Sequence, residues 1–319
     1  MHTATHRIES DDGLGLSLRE RSHDDPDAAV VFVHGATYAG RGIFDPAGAP
    51  EHSWLRWAAN AGQAAFALDV RGYGDSERPP GMDGDGSEPP SRLSEATEDV
   101  DAAIAAVRER VSGPIHLVGT SWGTMISGAL LARPDAPDVA SLTLHAPVFD
   151  PDPSLLDWLG SAQLSATRTV TRGDALSRWN EQVPDDPAAA IRGGTAESDP
   201  VFEAFWKSLT SSGQGRTDGE EIIAPNGTLA DLAAAAGGDH PYDPASIDVP
   251  TLVVRGSLDP TATRADALDV YDRLSVPGDE AVYAEIEGGT HFVHLENRRE
   301  ALYETVESFQ SGAGAERSA

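Results

Sequence analysis

The sequence predicts an α/β protein: a mostly parallel sheet wrapped by helices, with a helical insertion ahead of its last strands. Three observations carry that prediction. Short apolar runs alternate with helix-length amphipathic stretches from residue 28 to residue 147. The alternation lapses over 150–246, where helical segments with scattered Pro and Gly hold no convincing strand, and resumes at 251. Residues 115–132 begin as an apolar run, break at Gly119-Thr120-Ser121-Trp122-Gly123, and continue with small and apolar residues at helical spacing. That is strand, sharp turn and helix, with Ser121 at the turn.

Taken in order, residues 5–20 read as two short strands about the turn Asp11-Asp12-Gly13, with Leu14, Leu16 and Leu18 alternating. Residues 28–33 read as a buried parallel strand ending in His34-Gly35-Ala36-Thr37. A loop there can turn backbone N–H groups toward a ligand, so the Ala36 amide is a candidate oxyanion donor and His34 a structural residue. A helix at 53–61 carries Trp54, Leu55, Trp57 and Ala58, and a strand at 64–70 follows. It runs into a turn through Gly72 and Gly74, which an Asp69–Arg71 pair is expected to hold. Residues 79–92, rich in Pro, Gly and acid, read as a surface loop. Asp83 and Asp85 lack the ligand spacing of an EF-hand, so no metal site is expected there. Residues 93–111 form an amphipathic helix lined by Val100, Ile104 and Val107, with Ser94 as its expected cap.

After the Ser121 turn and its helix, Arg133-Pro134-Asp135-Ala136-Pro137 stops the chain, and 139–145 is the next strand. The insertion carries the aromatics Trp158, Trp179, Phe202, Phe205, Trp206 and Tyr242, expected to pack mostly on one another and on the core. The alternation then returns with a strand at 251–254, a helix at 264–274 and a strand at 281–286. A final helix at 298–310 carries Leu302, Val306 and Phe309, and the Ser/Gly/Ala tail at 311–319 is expected to be disordered.

Composition narrows the function. Lys and Arg number 23 against 52 Asp and Glu, a net charge of −29, and Lys207 is the single lysine. The acids are dispersed along the chain, so the charge resembles that of proteins from halophilic archaea, whose self-repulsion is screened by salt. Nucleic acid and anionic membranes are excluded as expected partners, because phosphate binding wants clusters of Lys and Arg. There is no cysteine, which removes disulfides and thiolate metal sites. No apolar run reaches the roughly 20 residues of a membrane span, and the opening residues lack a signal-peptide core. A cytoplasmic protein acting on a small molecule is expected.

A serine hydroxyl is a poor nucleophile at neutral pH, and it needs a base that is itself oriented by an acid. Asp259 lies just after one late strand, and His291 lies in the glycine-flanked loop after the next. Parallel strands present their carboxyl ends along one edge, so three such loops can converge. The first free N–H groups of the helix after Ser121 lie beside its hydroxyl, where they can stabilise negative charge on a substrate oxygen. Two rivals stand nearby. Asp150 follows an earlier strand and could be the acid, and His294 stands three residues beyond His291, where its expected role is packing.

With these pieces the chain resembles the α/β-hydrolase superfamily over nearly its whole length outside the insertion. The matching residues are His34-Gly35, the stretch from Asp69 to Ser76, the Gly119–Gly123 turn, Gly256–Asp259, and Gly289-Thr290-His291-Phe292. The resemblance implies a mostly parallel eight-stranded sheet, with 1–147 and 247–310 as the core and 148–246 as a helical cap. It implies Ser121 as nucleophile, His291 as general base and then acid, and Asp259 as its orienter. The backbone N–H groups of Ala36 and Trp122 would form the oxyanion hole, and no metal or cofactor is implied. Serine at 121 argues against the dehalogenases and epoxide hydrolases of this fold, which attack with aspartate. The Gly-Thr-Ser-Trp-Gly-Thr turn is similar to that of proline iminopeptidases, whereas His34-Gly35-Ala36-Thr37-Tyr38 departs from their glycine-rich oxyanion loop. An esterase is the expectation; an amide, lactone or carbon–carbon bond hydrolase, or a hydrolase-like sensor, are the alternatives.

Overall fold

The computed structural model describes residues 1–83, 88–153, 164–183, 191–192, 194 and 198–317. Asp85 and Trp158 lie outside the described residues. The strands are β1 (His2–Glu9), β2 (Gly15–Ser22), β3 (Ala28–Val33), β4 (Gln63–Asp69), β5 (Ile115–Thr120), β6 (Ser141–His145), β7 (Thr167–Thr171), β8 (Gly215–Arg216), β9 (Glu221–Pro225), β10 (Thr251–Gly256) and β11 (Ala281–Ile286). Eight of them form one sheet in the order β1-β2-β4-β3-β5-β6-β10-β11. β2 runs antiparallel to both its neighbours, and every pairing from β4 to β11 is parallel. The three central strands β3, β5 and β6 are buried almost throughout, which is why they read as unbroken runs rather than as alternation. At the edge, β1 stays largely exposed and carries Arg7, a charge that discourages pairing with another chain.

Helices α1 (Gly40–Phe44), α2 (Trp54–Asn60), α3 (Leu93–Arg108) and α4 (Trp122–Leu131) precede β6. Ser53 caps α2 by accepting the Arg56 amide at 3.0 Å. Ser94 does not cap α3. The cap falls two residues earlier, at Arg92, because Glu95 reaches back to the Arg92 amide at 3.0 Å and Asp231 accepts the Leu93 amide at 2.7 Å. The Asp69–Arg71 pair does not form either. α3 brings the buried Asp99 under Arg71 at 2.6 Å, and Asp12 joins at 2.7 Å. Asp69 instead accepts the amides of Gly40 at 2.9 Å and Asp75 at 3.1 Å.

The block between β6 and β10 corrects the expectation of helices alone. It contains α5 (Arg172–Glu181), α6 (Pro200–Thr210) and α7 (Gly227–Ala236), together with an antiparallel sheet in the order β7-β9-β8. These strands escape a sequence reading because β8 has two residues and β7, Thr-Arg-Thr-Val-Thr, has one apolar side chain and no buried face. The chain closes with α8 (Arg264–Arg273) and α9 (Arg299–Arg317). α9 runs well past residue 310, so the expected disordered tail is helical as far as Arg317. Ala313 is buried there, and alanine is the strongest helix former. Among the described residues no helix is long and apolar enough to cross a membrane.

Candidate active site

β5 ends at Thr120, and Ser121 follows in a strained backbone conformation, φ 55° and ψ −122°. Positive φ is costly for a residue with a Cβ, so the surroundings must over-determine it. They do so on both sides. A Cβ at Gly119 would strike the Gly123 carbonyl, and one at Gly123 would strike the Val33 carbonyl, so neither position accepts a side chain. The Ser121 amide donates to the His145 carbonyl at 3.0 Å, and the Ser121 carbonyl receives the Thr124 amide at 2.8 Å. Gly35 approaches from the end of β3 so closely that a Cβ there would stand 2.8 Å from the Ser121 Cβ. This contact brings the loop of Ala36 against the serine. Trp122 opens α4, and the first amides of a helix have no intrahelical acceptor, so its N–H needs an acceptor from outside the helix.

Asp259 and His291 meet on the neighbouring strand ends. His291 Nδ1 donates to Asp259 Oδ2 at 2.8 Å, and Asp259 Oδ1 accepts the amides of Thr261 at 2.8 Å and Ala262 at 3.0 Å. Burial raises the pKa of Asp259, but the His291 ring and the two amides outweigh it, and the carboxyl ends below its ordinary value. Backbone bonds hold this corner in register with the serine: Ala146 N to Val254 O at 2.7 Å, Ser257 N to Ile286 O at 2.9 Å, and Leu258 N to Gly289 O at 2.9 Å. Ser121, His291, Gly35 and Ala36 line one cavity of about 620 Å³, whose wall also includes Arg168 and Arg178 of the inserted block.

The inserted block also reaches each of the three loops. Gln214 donates to the Thr37 carbonyl at 2.9 Å and accepts the Ala39 amide at 3.1 Å. Asp231 accepts the Trp122 indole N–H at 3.2 Å while pairing with Arg92 at 2.6 Å. Arg192 stands 3.4 Å from the buried Glu296, which accepts from the amide of Thr290 at 2.9 Å and its hydroxyl at 2.5 Å. Trp179 lies under the Arg192 guanidinium at 4.2 Å and packs on Phe292, ring centroids 5.0 Å apart. Phe202 and Phe205 complete that cluster, whereas Tyr242 packs on Phe149. No spacing in the sequence marks Arg168, Arg192, Gln214 or Glu296, because each meets its partners through the fold.

Neither rival shares in the Asp259–His291 bond, although His294 also lines the cavity. The Asp150 carboxylate is half-exposed and faces His240 at 3.7 Å. His294 is buried between Trp54, Phe44 and His145, and burial holds its pKa well below the ordinary histidine value. His34 accepts the Val70 amide at 3.1 Å and donates to the Gly35 carbonyl at 2.8 Å. Burial pushes its pKa down to about 4, so this neutral ring ties β3 to β4.

No curated protein matches this chain in sequence. Solved structures similar to it include E-2-(acetamidomethylene)succinate hydrolase, 18% identical with a TM-score of 0.66 over 97% of this chain and 99% of the other. An esterase from Exiguobacterium antarcticum is 17% identical, with a TM-score of 0.64 over 97% of this chain and all of its own. The enol-lactonase from Burkholderia xenovorans LB400 is also 17% identical, with a TM-score of 0.64 and coverage of 96% and 100%. At such identities the likeness is one of fold. The family model described as the alpha/beta hydrolase fold matches residues 28–298, and the chain belongs to that family.

Proposed function

We propose that this protein is a serine hydrolase that cleaves a carboxylic ester of small or medium size, with residues 148–246 as its cap. The observation that carries the reading is the Asp259–His291 pair, bonded at 2.8 Å and sharing a cavity with the strained Ser121. A serine held at that backbone cost, beside a histidine whose other nitrogen is anchored to a buried carboxylate, is arranged for nucleophilic attack.

Ser121 Oγ adds to the ester carbonyl carbon, and its proton passes to His291 Nε2. The resulting oxyanion takes the N–H groups of Ala36 and Trp122, and Asp259 stabilises the imidazolium. Collapse breaks the carbon–oxygen bond to the alcohol, which leaves with the proton from His291. Water, deprotonated by His291, then attacks the acyl-enzyme and releases the carboxylic acid and free Ser121. An esterase and an enol-lactonase among the similar folds agree with this chemistry.

The test is hydrolysis of short- and medium-chain nitrophenyl esters in multimolar KCl. Ser121→Ala should lower kcat by about 10⁴- to 10⁶-fold with thermal stability retained. Folded wild type without turnover would refute the reading and favour a small-molecule sensor, and full activity in the alanine variant would refute Ser121 as the nucleophile.

A further inference from the structure

We propose that the cavity is built for an ester that carries a free carboxylate, with Arg168 and Arg178 as its anion-binding residues. This deepens the hydrolase reading and rests on it for the reaction, though not for the binding.

The buried arginines elsewhere in the molecule have carboxylate partners. Arg71 faces Asp99 at 2.6 Å, Arg192 faces Glu296 at 3.4 Å, and Arg255 faces Glu285 at 2.7 Å. In a chain with 52 acids and 23 bases, such pairing is the expected state of an arginine. The two in the cavity wall depart from it. Arg168 Nη1 donates to the Pro225 carbonyl at 2.7 Å and the Asn226 side-chain carbonyl at 3.0 Å, and Nη2 donates to the Thr37 hydroxyl at 2.6 Å. Arg178 Nη2 donates to the Thr261 hydroxyl at 2.5 Å. Among the described residues neither guanidinium has a carboxylate within 4.0 Å. Both are half-buried, and withdrawing part of a guanidinium from water without a counter-charge is costly, so the site gains when an anion arrives.

The anchors tie both charges to the loops that carry Ala36 and Asp259. Thr37 follows Ala36 directly, and Thr261 is two residues beyond Asp259, where its amide also binds the Asp259 carboxylate. These neutral bonds hold the guanidinium groups in place without a carboxylate partner among the described residues, and an arginine fork suits the flat geometry of a carboxylate. Two acids, Asp174 and Glu181, also line the cavity. Both are exposed, and their carboxylates are engaged locally, Asp174 with the Thr171 hydroxyl at 2.7 Å and Glu181 with the Ser177 hydroxyl at 2.8 Å. The cavity's volume of about 620 Å³ suits a compact substrate such as the monoester of a short dicarboxylic acid.

The experiment compares three esters in the same KCl concentration: the mono-4-nitrophenyl ester of glutaric acid, neutral 4-nitrophenyl pentanoate, and 4-acetoxybenzoate, which carries its anion in the leaving group. Wild type should prefer one of the anionic esters, and which one identifies the side that Arg168 faces. Arg168→Gln should lower that anionic-to-neutral ratio of kcat/KM by about 10- to 100-fold, with Arg168→Lys retaining part of it. Calorimetric binding of glutarate to wild type supplies a second measurement that needs neither turnover nor a folded variant, with pentanamide as its neutral control. Equal kcat/KM for anionic and neutral esters, together with no preference for glutarate over pentanamide, would overturn the anion site and leave the hydrolase reading standing. Tight, selective glutarate binding without hydrolysis of any ester would do the reverse.

Discussion

The eight-stranded sheet and the block inserted between β6 and β10 hold the same site by different physical means. At the sheet edge the loops are fixed by main-chain bonds, from Ser121 N to His145 O, from Ala146 N to Val254 O and from Ser257 N to Ile286 O. These bonds need no particular side chain, only strand ends in register and glycines where backbones meet. The inserted block works through buried polar side chains: Gln214 on the Ala36 loop, Asp231 on the Trp122 indole, and Arg192 on the Glu296 that holds Thr290. In the proposed reaction the sheet would supply the reacting groups, and the insertion would set their fine position along with the cavity wall. A cover that could be lifted away without consequence would not be bonded to all three loops.

The sharpest test of the sheet's half is Asp259→Asn. An asparagine keeps the shape but cannot anchor the same His291 tautomer or stabilise an imidazolium, so kcat should fall by about 10³- to 10⁴-fold. The loss should be equal for neutral and anionic esters and leave KM little changed, because Asp259 is behind His291 and away from substrate. A loss confined to one class of ester would mean that Asp259 acts in recognition, and the division drawn here would fail.

Arg192→Met tests the other half. It strands the Glu296 carboxylate, fully buried and opposite a guanidinium that is itself 3% exposed. Breaking such a pair costs about 3–5 kcal/mol, and removing the second charge as well recovers much of it. Arg192→Met should therefore melt well below wild type, Arg192→Met/Glu296→Gln should regain part of the difference, and kcat should drop in the single variant as the His291 loop loosens. Unchanged melting and kcat in Arg192→Met would reduce the insertion to a wall.

What the sequence reveals divides along the same line. The Ser121 turn is legible because its constraint is local: Gly119 and Gly123 must lack side chains, and both lie two residues away. Asp259 and His291 are legible as residues just past strand ends, since a parallel sheet gathers those ends on one edge. The partners of Gln214 and Arg168 lie 175 and 131 residues distant, with no periodicity to announce them. Asp69 and Arg71 show the converse error. Nearness in the chain suggests a pair, yet the Asp99 that α3 delivers from 28 residues away wins Arg71. The strands β7 and β8 are hidden for a further reason, because short segments without a buried face carry no two-residue alternation.

Asp69 is one place where the sheet's half departs from its own rule, since here a buried side chain holds two loops through the amides of Gly40 and Asp75. Burial pushes its pKa from 3.8 up to about 7, against the pull of those amides. The folded protein therefore keeps a proton that the unfolded chain releases between about pH 4 and pH 7. Over that window this group's contribution to stability falls as pH rises, and above the folded pKa the full cost of a buried charge is present. Asp69→Asn cannot ionise, and it also loses one acceptor, so it should begin below wild type at pH 4.5. Its melting temperature relative to wild type should then climb toward pH 8, by the equivalent of about 2–4 kcal/mol or a few degrees for a chain of this size. Thermal melts of both proteins at fixed KCl across that range measure the slope. A flat difference would mean that the carboxylate is already ionised at pH 5 and held by its two amides, as Asp259 is. Asp69 would then be a fixed anionic clamp of the kind the insertion uses, and the contrast between the two halves would be one of degree.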